Sequence, residues 1–367
     1  MAVLIACVLS AATCLADNRA GPLQLTLPPE FYAVAGIETS IYYDNVVLTE
    51  TPEAYRFEVT CDIGNAEQQR WTVTPKAADV GDHSLTVTVS DASEKELGRA
   101  TTTLRVVSAD AGAGRTIRLL IVGDSLTHAT TYSNEIARFL SMPDNPSWKM
   151  LGTHKPSKAA DGVAHEGYGG WTWQRFASHY EPNPDGTYRK RSSPFVYLSA
   201  DGKPALDLKR YFDEECDGQR PDFVTFLLGI NDCFSADPDD PTAIDARIDA
   251  MMVHADALLA AFREAAPKAQ LGICLTTPPN SREEGFQANY KGRYHRWGWK
   301  RIQHRLVQRE ITRFENRETE QFFVVPTQLN LDPVDGYPTN NGVHPNDVGY
   351  KQIGASIYAW LKARVEK

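Results

Sequence analysis

An apolar run that ends in Gly-Asp-Ser constrains the fold of this chain more than any other stretch. Residues 116–122 are mostly leucine and β-branched residues, and Gly123, Asp124 and Ser125 follow them directly. A continuous apolar run bounded by a turn signal is typical of a strand that is buried on both faces of a parallel sheet. Ligands bind outside the carboxyl ends of such strands. The pattern therefore makes Ser125 a candidate nucleophile at the ligand-binding edge of a sheet.

The chain from residue 116 onward alternates between strand and helix patterns. Strands are predicted at 117–123, 222–228, 270–276 and 322–326, with a weaker one at 150–152. Helices are predicted near 131–141, at 243–265, around 293–313 and from 347 to 364. This alternation predicts an α/β domain over 116–367, folded as a three-layer α/β/α sandwich on a parallel sheet. The stretch 154–221 is long, irregular and aromatic, and we interpret it as an insertion over the rim of the site.

Residues 22–108 show a different periodicity. Hydrophobic and polar residues alternate in six short runs that turn residues separate, at 31–34, 41–43, 55–59, 70–73, 83–89 and 102–107. This period of two, with no helical pattern between the runs, predicts a small antiparallel β-sandwich domain. The run from Gly81 to Asp91 resembles the strands of immunoglobulin-like or cadherin-like modules. Residues 109–115 are small and predict a linker between the two domains.

The start of the chain has the composition of a secretory leader. Residues 1–16 are almost wholly apolar or small, and Asp17-Asn18-Arg19 follow them. They predict a signal peptide and, with it, a secreted or periplasmic location in a bacterium. A buried helix is the alternative, because the positively charged start of a signal peptide is missing, and lipid attachment at Cys7 is a weaker one. No later apolar run reaches the ~18 residues that a membrane span needs.

Charge and cysteine content limit the partners and cofactors of the chain. The formal net charge of -9 argues against nucleic acid or an anionic membrane surface as a partner. Beyond the leader, Cys61, Cys216, Cys233 and Cys274 lack CxxC spacing, which indicates neither a zinc site nor a disulfide framework, although a single bridge stays open. No His, Asp or Cys cluster has ligand spacing, so neither a metal nor a cofactor is predicted. The sequence does not determine the oligomeric state.

Four short motifs stand out because each places small and polar residues at a predicted strand end or loop. They are Gly123-Asp124-Ser125-Leu126, Gly167-Tyr168-Gly169-Gly170-Trp171-Thr172, Gly229-Ile230-Asn231-Asp232 and Asn341-Gly342-Val343-His344-Pro345-Asn346. In this order and context they resemble the SGNH (GDSL) hydrolase superfamily, and Ser125, Gly170, Asn231 and His344 occupy its four signature positions. The resemblance covers residues 116–364 and implies a flavodoxin-like sandwich with serine esterase activity.

The chemistry of ester hydrolysis assigns a role to each of these four residues. A serine hydroxyl is a weak nucleophile at neutral pH, so Ser125 needs a base, and His344 is the candidate. The backbone N–H groups of Ser125 and Gly170, with the side-chain amide of Asn231, would form the oxyanion hole. Glycine suits position 170 because a residue without Cβ lets a substrate approach the backbone closely, although Gly169 is an alternative.

One position departs from the family pattern. The family usually has aspartate three residues before the histidine, where this chain has Asn341. In serine proteases the corresponding change from carboxylate to carboxamide costs ~10⁴ in rate, because the histidine takes the wrong tautomer. Three interpretations follow: a Ser125–His344 dyad whose ring Asn341 or a backbone carbonyl orients, a carboxylate from elsewhere, or an impaired site that only binds. We favour the working dyad, because the nucleophile and the oxyanion donors are all retained.

The substrate is predicted by analogy and by aromatic content. Tyr168, Trp171 and Trp173, with His128 just after the nucleophile, are expected to line the substrate site. Weaker candidates for stacking on a sugar are Tyr290, Tyr294, Trp297 and Trp299. The leader, the appended β-sandwich and these aromatics favour hydrolysis of small acyl esters, above all acetyl, on a small or polymeric carbohydrate through an acyl-enzyme. A lipase or thioesterase, and a glycan-binding protein with an impaired site, are the alternatives.

Overall fold

The N-terminal part of the protein is rich in strands, as the period-two runs predict. The computed structural model describes residues 23–365, so the predicted signal peptide at 1–16 lies outside the described residues. The first elements are β1 (Glu30–Val34), β2 (Thr39–Tyr42), α1 (Tyr43–Val46), β3 (Arg56–Thr60), β4 (Asn65–Ala66), β5 (Arg70–Val73), β6 (Gly81–Ser90) and β7 (Glu96–Val107). They form a four-stranded sheet in the order β1-β7-β6-β3 and a three-stranded sheet in the order β2-β5-β4.

Alternate side chains of these strands meet in one hydrophobic cluster. Along β6, Leu85, Val87 and Val89 are buried and the residues between them are more exposed, as a pleated strand with one face toward a core requires. They share the cluster with Phe31 from the same sheet and Trp71 from the other sheet. The two sheets therefore enclose a hydrophobic cluster between them.

One edge of the larger sheet differs from the prediction. Strand β1 runs parallel to β7, with Phe31 beside Leu104, whereas β3–β6 and β6–β7 are antiparallel as predicted. Period-two alternation specifies which residues face the core, but it does not specify the direction in which a neighbouring strand runs. The stretch predicted as a linker, 109–115, consists mainly of turns, and Ala111 within it is buried.

The second part of the chain is built on a parallel sheet. Its strands and a separate hairpin are β8 (Thr116–Gly123), β9 (Ser147–Leu151), β10 (Glu166–Gly167), β11 (Val196–Leu198), β12 (Pro204–Leu206), β13 (Phe223–Leu227), β14 (Gln270–Cys274) and β15 (Phe322–Val325). The sheet has the order β10-β8-β13-β14-β15, and β9 pairs with the part of β8 that β10 does not reach. With β8 counted as first and β9 as second, this is the 2-1-3-4-5 order of flavodoxin-like folds. The predicted fold class is confirmed.

Helices cover this sheet in two groups. They are α2 (Ser125–His128), α3 (Thr131–Leu140), α4 (Trp173–Ser178), α5 (Leu208–Glu215), α6 (Ile230–Cys233), α7 (Pro241–Ala265), α8 (Glu283–Tyr290), α9 (Arg296–Phe314) and α10 (Asp347–Val365). Helices α3 and α10 pack against each other, and α7 packs against α4, α5, α6 and α9. Within residues 23–365, no helix is long and apolar enough to cross a membrane.

The region predicted as an irregular insertion is more ordered than expected. Residues 154–221 contain β10, α4, the β11–β12 hairpin and α5. Aromatic residues of this region, such as Phe176, Phe195 and Tyr211, are fully buried in the main hydrophobic core. These parts of the stretch are thus packed into the domain, whereas residues 181–192 and 198–205 are exposed or half-buried. That the insertion covers the rim of the site stays a prediction.

The four cysteines within residues 23–365 are free thiols. Cys216, Cys233 and Cys274 are buried, and Cys61 is half-buried. The single bridge that the sequence left open does not form among them.

Candidate active site

The turn after β8 presents Ser125 at the carboxyl edge of the sheet. Asp124 precedes α2 and its side chain accepts a hydrogen bond from Leu126 N at 2.9 Å, which caps the first turn of this short helix. Gly123 is required at the strand end because a Cβ there would collide with the Thr127 hydroxyl. Ser125 is the first helical residue and is half-buried. Its side chain therefore stands between a buried strand and the surface.

His344 lies within hydrogen-bonding distance of the candidate nucleophile. The loop after β15 carries it back to the edge where β8 ends, and its Nε2 lies 2.8 Å from Ser125 Oγ. This is the distance at which a base can take the hydroxyl proton during attack on an ester. The structure thus brings the predicted nucleophile and the predicted base together across 219 residues of sequence.

Asn341 orients the imidazole through its side-chain oxygen. Asn341 Oδ1 accepts hydrogen bonds from Val343 N at 3.0 Å and His344 N at 2.9 Å, and it lies 3.2 Å from His344 Nδ1. Because two backbone donors point at this atom, it must be the oxygen and not the nitrogen of the amide. His344 Nδ1 then carries the proton and its N–H donates a hydrogen bond to Asn341 Oδ1, which leaves Nε2 unprotonated and facing Ser125. The carboxamide here selects the productive tautomer, unlike the protease case.

Burial, and not charge, sets the basicity of the histidine. Desolvation lowers the pKa of His344 below its ordinary value, and no charged group offsets it. In the part of the chain that the structure describes, no carboxylate hydrogen-bonds to this ring. The interpretation that an acid from elsewhere replaces the missing aspartate therefore has no support in the structure. The ring is neutral at neutral pH and is a weaker base than one paired with a carboxylate.

The glycine-rich turn that carries Gly170 is bonded to the strand end before the nucleophile. Tyr168 N donates to Gly123 O at 3.1 Å, and a turn closed by Trp171 N and Tyr168 O at 3.2 Å follows. Gly170 sits in this turn with a φ of 77°, and a Cβ built on it meets no atom within 4 Å. Gly169 instead faces the Tyr188 hydroxyl, 3.1 Å from its own hypothetical Cβ. Of the two glycines, Gly170 has the open side that a bound ester needs.

Asn231 is held in place by two acceptors. Its Nδ2 donates to Asp124 Oδ2 at 3.1 Å and to Trp171 O at 3.0 Å. The first bond ties it to the residue before the nucleophile, and the second ties it to the residue after Gly170. The side chain of Asn231 is therefore linked to the segments of both other candidate oxyanion donors. A developing oxyanion would share one of the two Nδ2–H groups with the acceptor that the group already has.

Buried carboxyl groups lie behind this oxyanion side. Burial, with a smaller contribution from the neighbouring Asp232, raises the pKa of Asp124 to about 7. Burial raises the pKa of Asp232 to about 7 as well, although its carboxylate accepts from Trp173 N at 3.1 Å. Burial raises the pKa of Glu310 to about 8. These acids, which bond to nearby backbone or amide groups, are thus partly neutral near neutral pH.

His128 lies on the same face of α2 as Ser125, because the two are three residues apart. Its Nδ1 lies 2.9 Å from Nε2 of His154, and its ring packs against Tyr188 at a tilt of 45°, with 4.7 Å between centroids. It is half-buried, and burial lowers its pKa, with a smaller contribution from Lys158. The prediction that His128 lines the site stays a prediction. His154 and Tyr188 join it there, and no sequence signal identified this pairing.

Three predicted substrate contacts are wrong. Tyr168 and Trp171 are 0% exposed and Trp173 is 2% exposed, so no sugar ring reaches their faces. Trp173 stacks on Phe226 of the central sheet, and Trp171 Nε1 donates to Tyr188 O at 3.2 Å. These rings hold the glycine-rich turn against the core, and the turn exposes its backbone instead of its side chains.

A cluster of half-exposed aromatic residues follows Asn231 in sequence and includes side chains from α8 and the segment after it. Phe234 is three residues after Asn231, and its ring centroid is 4.4 Å from that of Tyr294 and 5.1 Å from that of Tyr290. Trp299, by contrast, is 2% exposed and packs under Phe234. Among residues 23–365, no group of three or more His, Cys, Asp or Glu side chains is arranged to hold a metal ion.

One family model matches this chain, and several solved structures are similar to part of it. Similar solved structures include a carbohydrate esterase family 3 protein from Talaromyces cellulolyticus, with 16% identity, a TM-score of 0.42 and coverage of 68% of this chain and 98% of that one. An aryl esterase from M. Smegmatis has 14% identity, a TM-score of 0.38 and coverage of 67% and 99%. A search of curated proteins found no match. The model of the GDSL-like lipase/acylhydrolase family matches residues 121–352, which include Ser125, Asn231 and His344, and the chain belongs to this family.

Proposed function

We propose that this hydrolase removes small O-acyl groups, above all acetyl, from a carbohydrate. The observation that carries the esterase chemistry is the 2.8 Å contact between Ser125 Oγ and His344 Nε2, with the tautomer fixed by Asn341 Oδ1. A neutral imidazole whose acceptor nitrogen faces a serine hydroxyl is the arrangement that general-base activation of a nucleophile requires.

The reaction follows from this geometry. Ser125 Oγ attacks the acyl carbon while its proton moves to His344 Nε2, and the carbonyl oxygen becomes an oxyanion held by Ser125 N, Gly170 N and Asn231 Nδ2. The intermediate collapses to an acyl-serine, and the sugar oxygen leaves with the proton from Nε2. Water then attacks the acyl-serine with His344 again as base. Acetate and the free serine are released, so no cofactor is needed.

The carbohydrate part of the proposal rests on the surface around the site. Phe234, three residues after Asn231, forms a cluster of half-exposed rings with Tyr290 and Tyr294, and aromatic faces suit the apolar C–H face of a sugar. A lipase would need a continuous apolar surface. The large hydrophobic residues that are exposed within the described part of the chain are scattered, at Val80, Met142, Leu198, Val253 and Val348. Single exposed apolar residues of this kind are ordinary on protein surfaces.

The test is acetate release by the purified protein and its Ser125→Ala variant. Substrates are acetylated xylan, acetylated pectin, O-acetylated sialic acid and 4-nitrophenyl acetate, with butyryl and octanoyl esters for comparison. We expect Ser125→Ala to lower kcat by ~10⁴–10⁶ on every ester that the wild type hydrolyses. Equal rates for both proteins would refute the esterase, and binding of the glycans without turnover would identify a binding protein. A preference for octanoyl esters would refute the acetyl specificity.

A further inference from the structure

The loop that carries the candidate base is anchored in the N-terminal sheets. We call residues 326–346, between β15 and α10, the histidine loop. Its Leu329 is 1% exposed and belongs to the hydrophobic cluster of the N-terminal region, together with Phe31, Ile41 and Trp71. The histidine loop thus supplies a buried residue to the hydrophobic cluster of the N-terminal region. Such a contact attaches the loop more firmly than a surface contact would.

Asn45 fastens the same part of the histidine loop. It lies in α1, is 8% exposed, and its Nδ2 donates to Gln328 O at 2.8 Å and to Leu331 O at 2.7 Å. The two hydrogens of one amide therefore hold two carbonyl groups that are three residues apart. Asn45 Oδ1 is buried without a partner. An unpaired buried carbonyl destabilises the fold. An apolar residue at position 45 would avoid that cost, but it would not make the two bonds to the histidine loop.

Strand β2 adds backbone contacts beside Asn45. Tyr42 N donates to Leu329 O at 3.1 Å, and Ser40 N donates to Asn330 Oδ1 at 2.9 Å. Ser40 and Asn330 are both buried. Every residue from 328 to 331 is therefore bonded to the segment 40–45 through its backbone or side chain.

The second half of the histidine loop is held from within the catalytic domain. Asn280 Nδ2 donates to Asn341 O at 3.0 Å, and Asn280 N donates to Gly342 O at 3.0 Å. Asp332 N, between the two halves, donates to Gln352 Oε1 at 2.9 Å. The loop is thus held at several points along its length, and the N-terminal region holds residues 328–331.

We propose that Asn45 is a positioning residue for His344, and that the N-terminal strand-rich region is an integral part of the catalytic centre through its grip on the histidine loop. The proposal rests on the proposed function, in which His344 is the base. No carboxylate orients this ring, so its orientation depends on Asn341 Oδ1, an atom fixed by the backbone of the loop itself. Releasing residues 328–331 loosens that backbone, and misplacing a catalytic group by ~1 Å costs ~10² in rate.

The test compares Asn45→Ala with Thr26→Val in the full-length protein. Thr26 Oγ1 lies 3.0 Å from His304 Nε2, so it joins the N-terminal region to α9 without touching the histidine loop. We expect Asn45→Ala to lower kcat on 4-nitrophenyl acetate by ~10–100-fold with KM nearly unchanged. The acidic limb of kcat/KM should also move upward toward pH ~6.5, because a loosened ring is better solvated. Thr26→Val should retain kcat and the pH profile, even where its melting temperature falls.

Several outcomes decide between the proposals. An unchanged kcat and pH profile in Asn45→Ala, or equal losses of kcat in both variants, would overturn the positioning role. If Asn45→Ala does not fold, Asn330→Ala, which removes the acceptor of Ser40 N, is measured in its place under the same expectations. Ser125→Ala distinguishes a failure of the proposed esterase function from a failure of the proposed positioning role of Asn45. An active Ser125→Ala refutes the esterase, whereas an inactive Ser125→Ala with a normal Asn45→Ala refutes the positioning role alone.

Discussion

The two sides of the nucleophile differ in the chemical groups that hold the catalytic residues in place. The oxyanion side rests on buried carboxyl groups, among them Asp124, Asp232 and Glu310, whose pKa values burial raises to about 7, 7 and 8. Among residues 23–365, no carboxylate hydrogen-bonds to His344 on the imidazole side, where its Nδ1 faces the carboxamide of Asn341. On both sides oxygen acceptors fix the positions of the catalytic groups, and on both sides full negative charge is avoided or suppressed. The comparison indicates that orientation, more than charge, is what this site preserves.

The largest expected effect is the loss of the base. In His344→Gln the side chain fills a similar volume but cannot take the proton of Ser125, so we expect kcat to fall by ~10⁴–10⁶. Steady-state hydrolysis of 4-nitrophenyl acetate measures it. His254→Gln, on α7 and away from the site, is the matched control and should keep the wild-type rate. A rate within tenfold of wild type in His344→Gln would mean that another group is the base, and the comparison of the two sides would fail.

The oxyanion side should be the next most sensitive. Asn231→Ala removes one donor, and loss of one such donor lowers kcat by ~10²–10³. The fall should appear in kcat more than in KM, because the interaction strengthens as charge develops on the carbonyl oxygen. A change confined to KM would assign Asn231 to substrate binding, and the oxyanion side would then lack its side-chain donor.

Adding charge to the imidazole side tests the comparison directly. In Asn341→Asp a carboxylate would lie 3.2 Å from His344 Nδ1, which favours the imidazolium and raises the depressed pKa of His344. The base is active only when neutral, so the acidic limb of kcat/KM should move to higher pH. Above that limb, the stabilised imidazolium should raise kcat by about tenfold, equivalent to one pKa unit.

Asn341→Ala is the control for orientation. It removes the acceptor that fixes the tautomer, and we expect it to be slower than both the wild type and Asn341→Asp. If Asn341→Asp leaves kcat and the acidic limb unchanged, charge beside the ring has no influence here. If Asn341→Ala matches the wild type, orientation has none either.

Much of the fold was predictable because it follows from local patterns. Apolar runs identified the strands of the parallel sheet, and the carboxyl ends of parallel strands share one edge, so Ser125 and the loop of His344 were expected to meet there. The motif spacing likewise identified Asn341 as the unusual position. How a carboxamide can replace the acid was not predictable, because it depends on two backbone N–H groups that point at Asn341 Oδ1.

Other features depend on contacts that no local pattern encodes. Tyr168 and Trp171 share a motif with Gly170, yet a tight turn sends the side chains into the core and the glycine backbone outward. Strand β1 pairs with β7, which is far from it in sequence, and their parallel direction follows from that pairing. The hydrogen bonds of Asn45 to residues 328 and 331 likewise connect distant segments. Such pairings are set by tertiary packing and not by periodicity.

The smallest expected effect tests whether burial keeps the oxyanion side uncharged. The pKa of Glu310 is raised to about 8, so its favourable contribution to folding is complete below its unfolded pKa, ~4.3, and is lost as pH rises through 8. Glu310→Gln is neutral at every pH and can still bond to Thr276 N and Oγ1, which Glu310 now contacts at 3.0 Å each. Its melting temperature should equal that of the wild type near pH 4 and exceed it by about 2–4 °C at pH 9. Glu284→Gln, which is exposed on α8, should show no such pH-dependent gain. A melting temperature for Glu310→Gln that is lower than wild type at pH 9 would mean that this carboxyl is stably ionised, and the oxyanion side would then carry the charge that the imidazole side lacks.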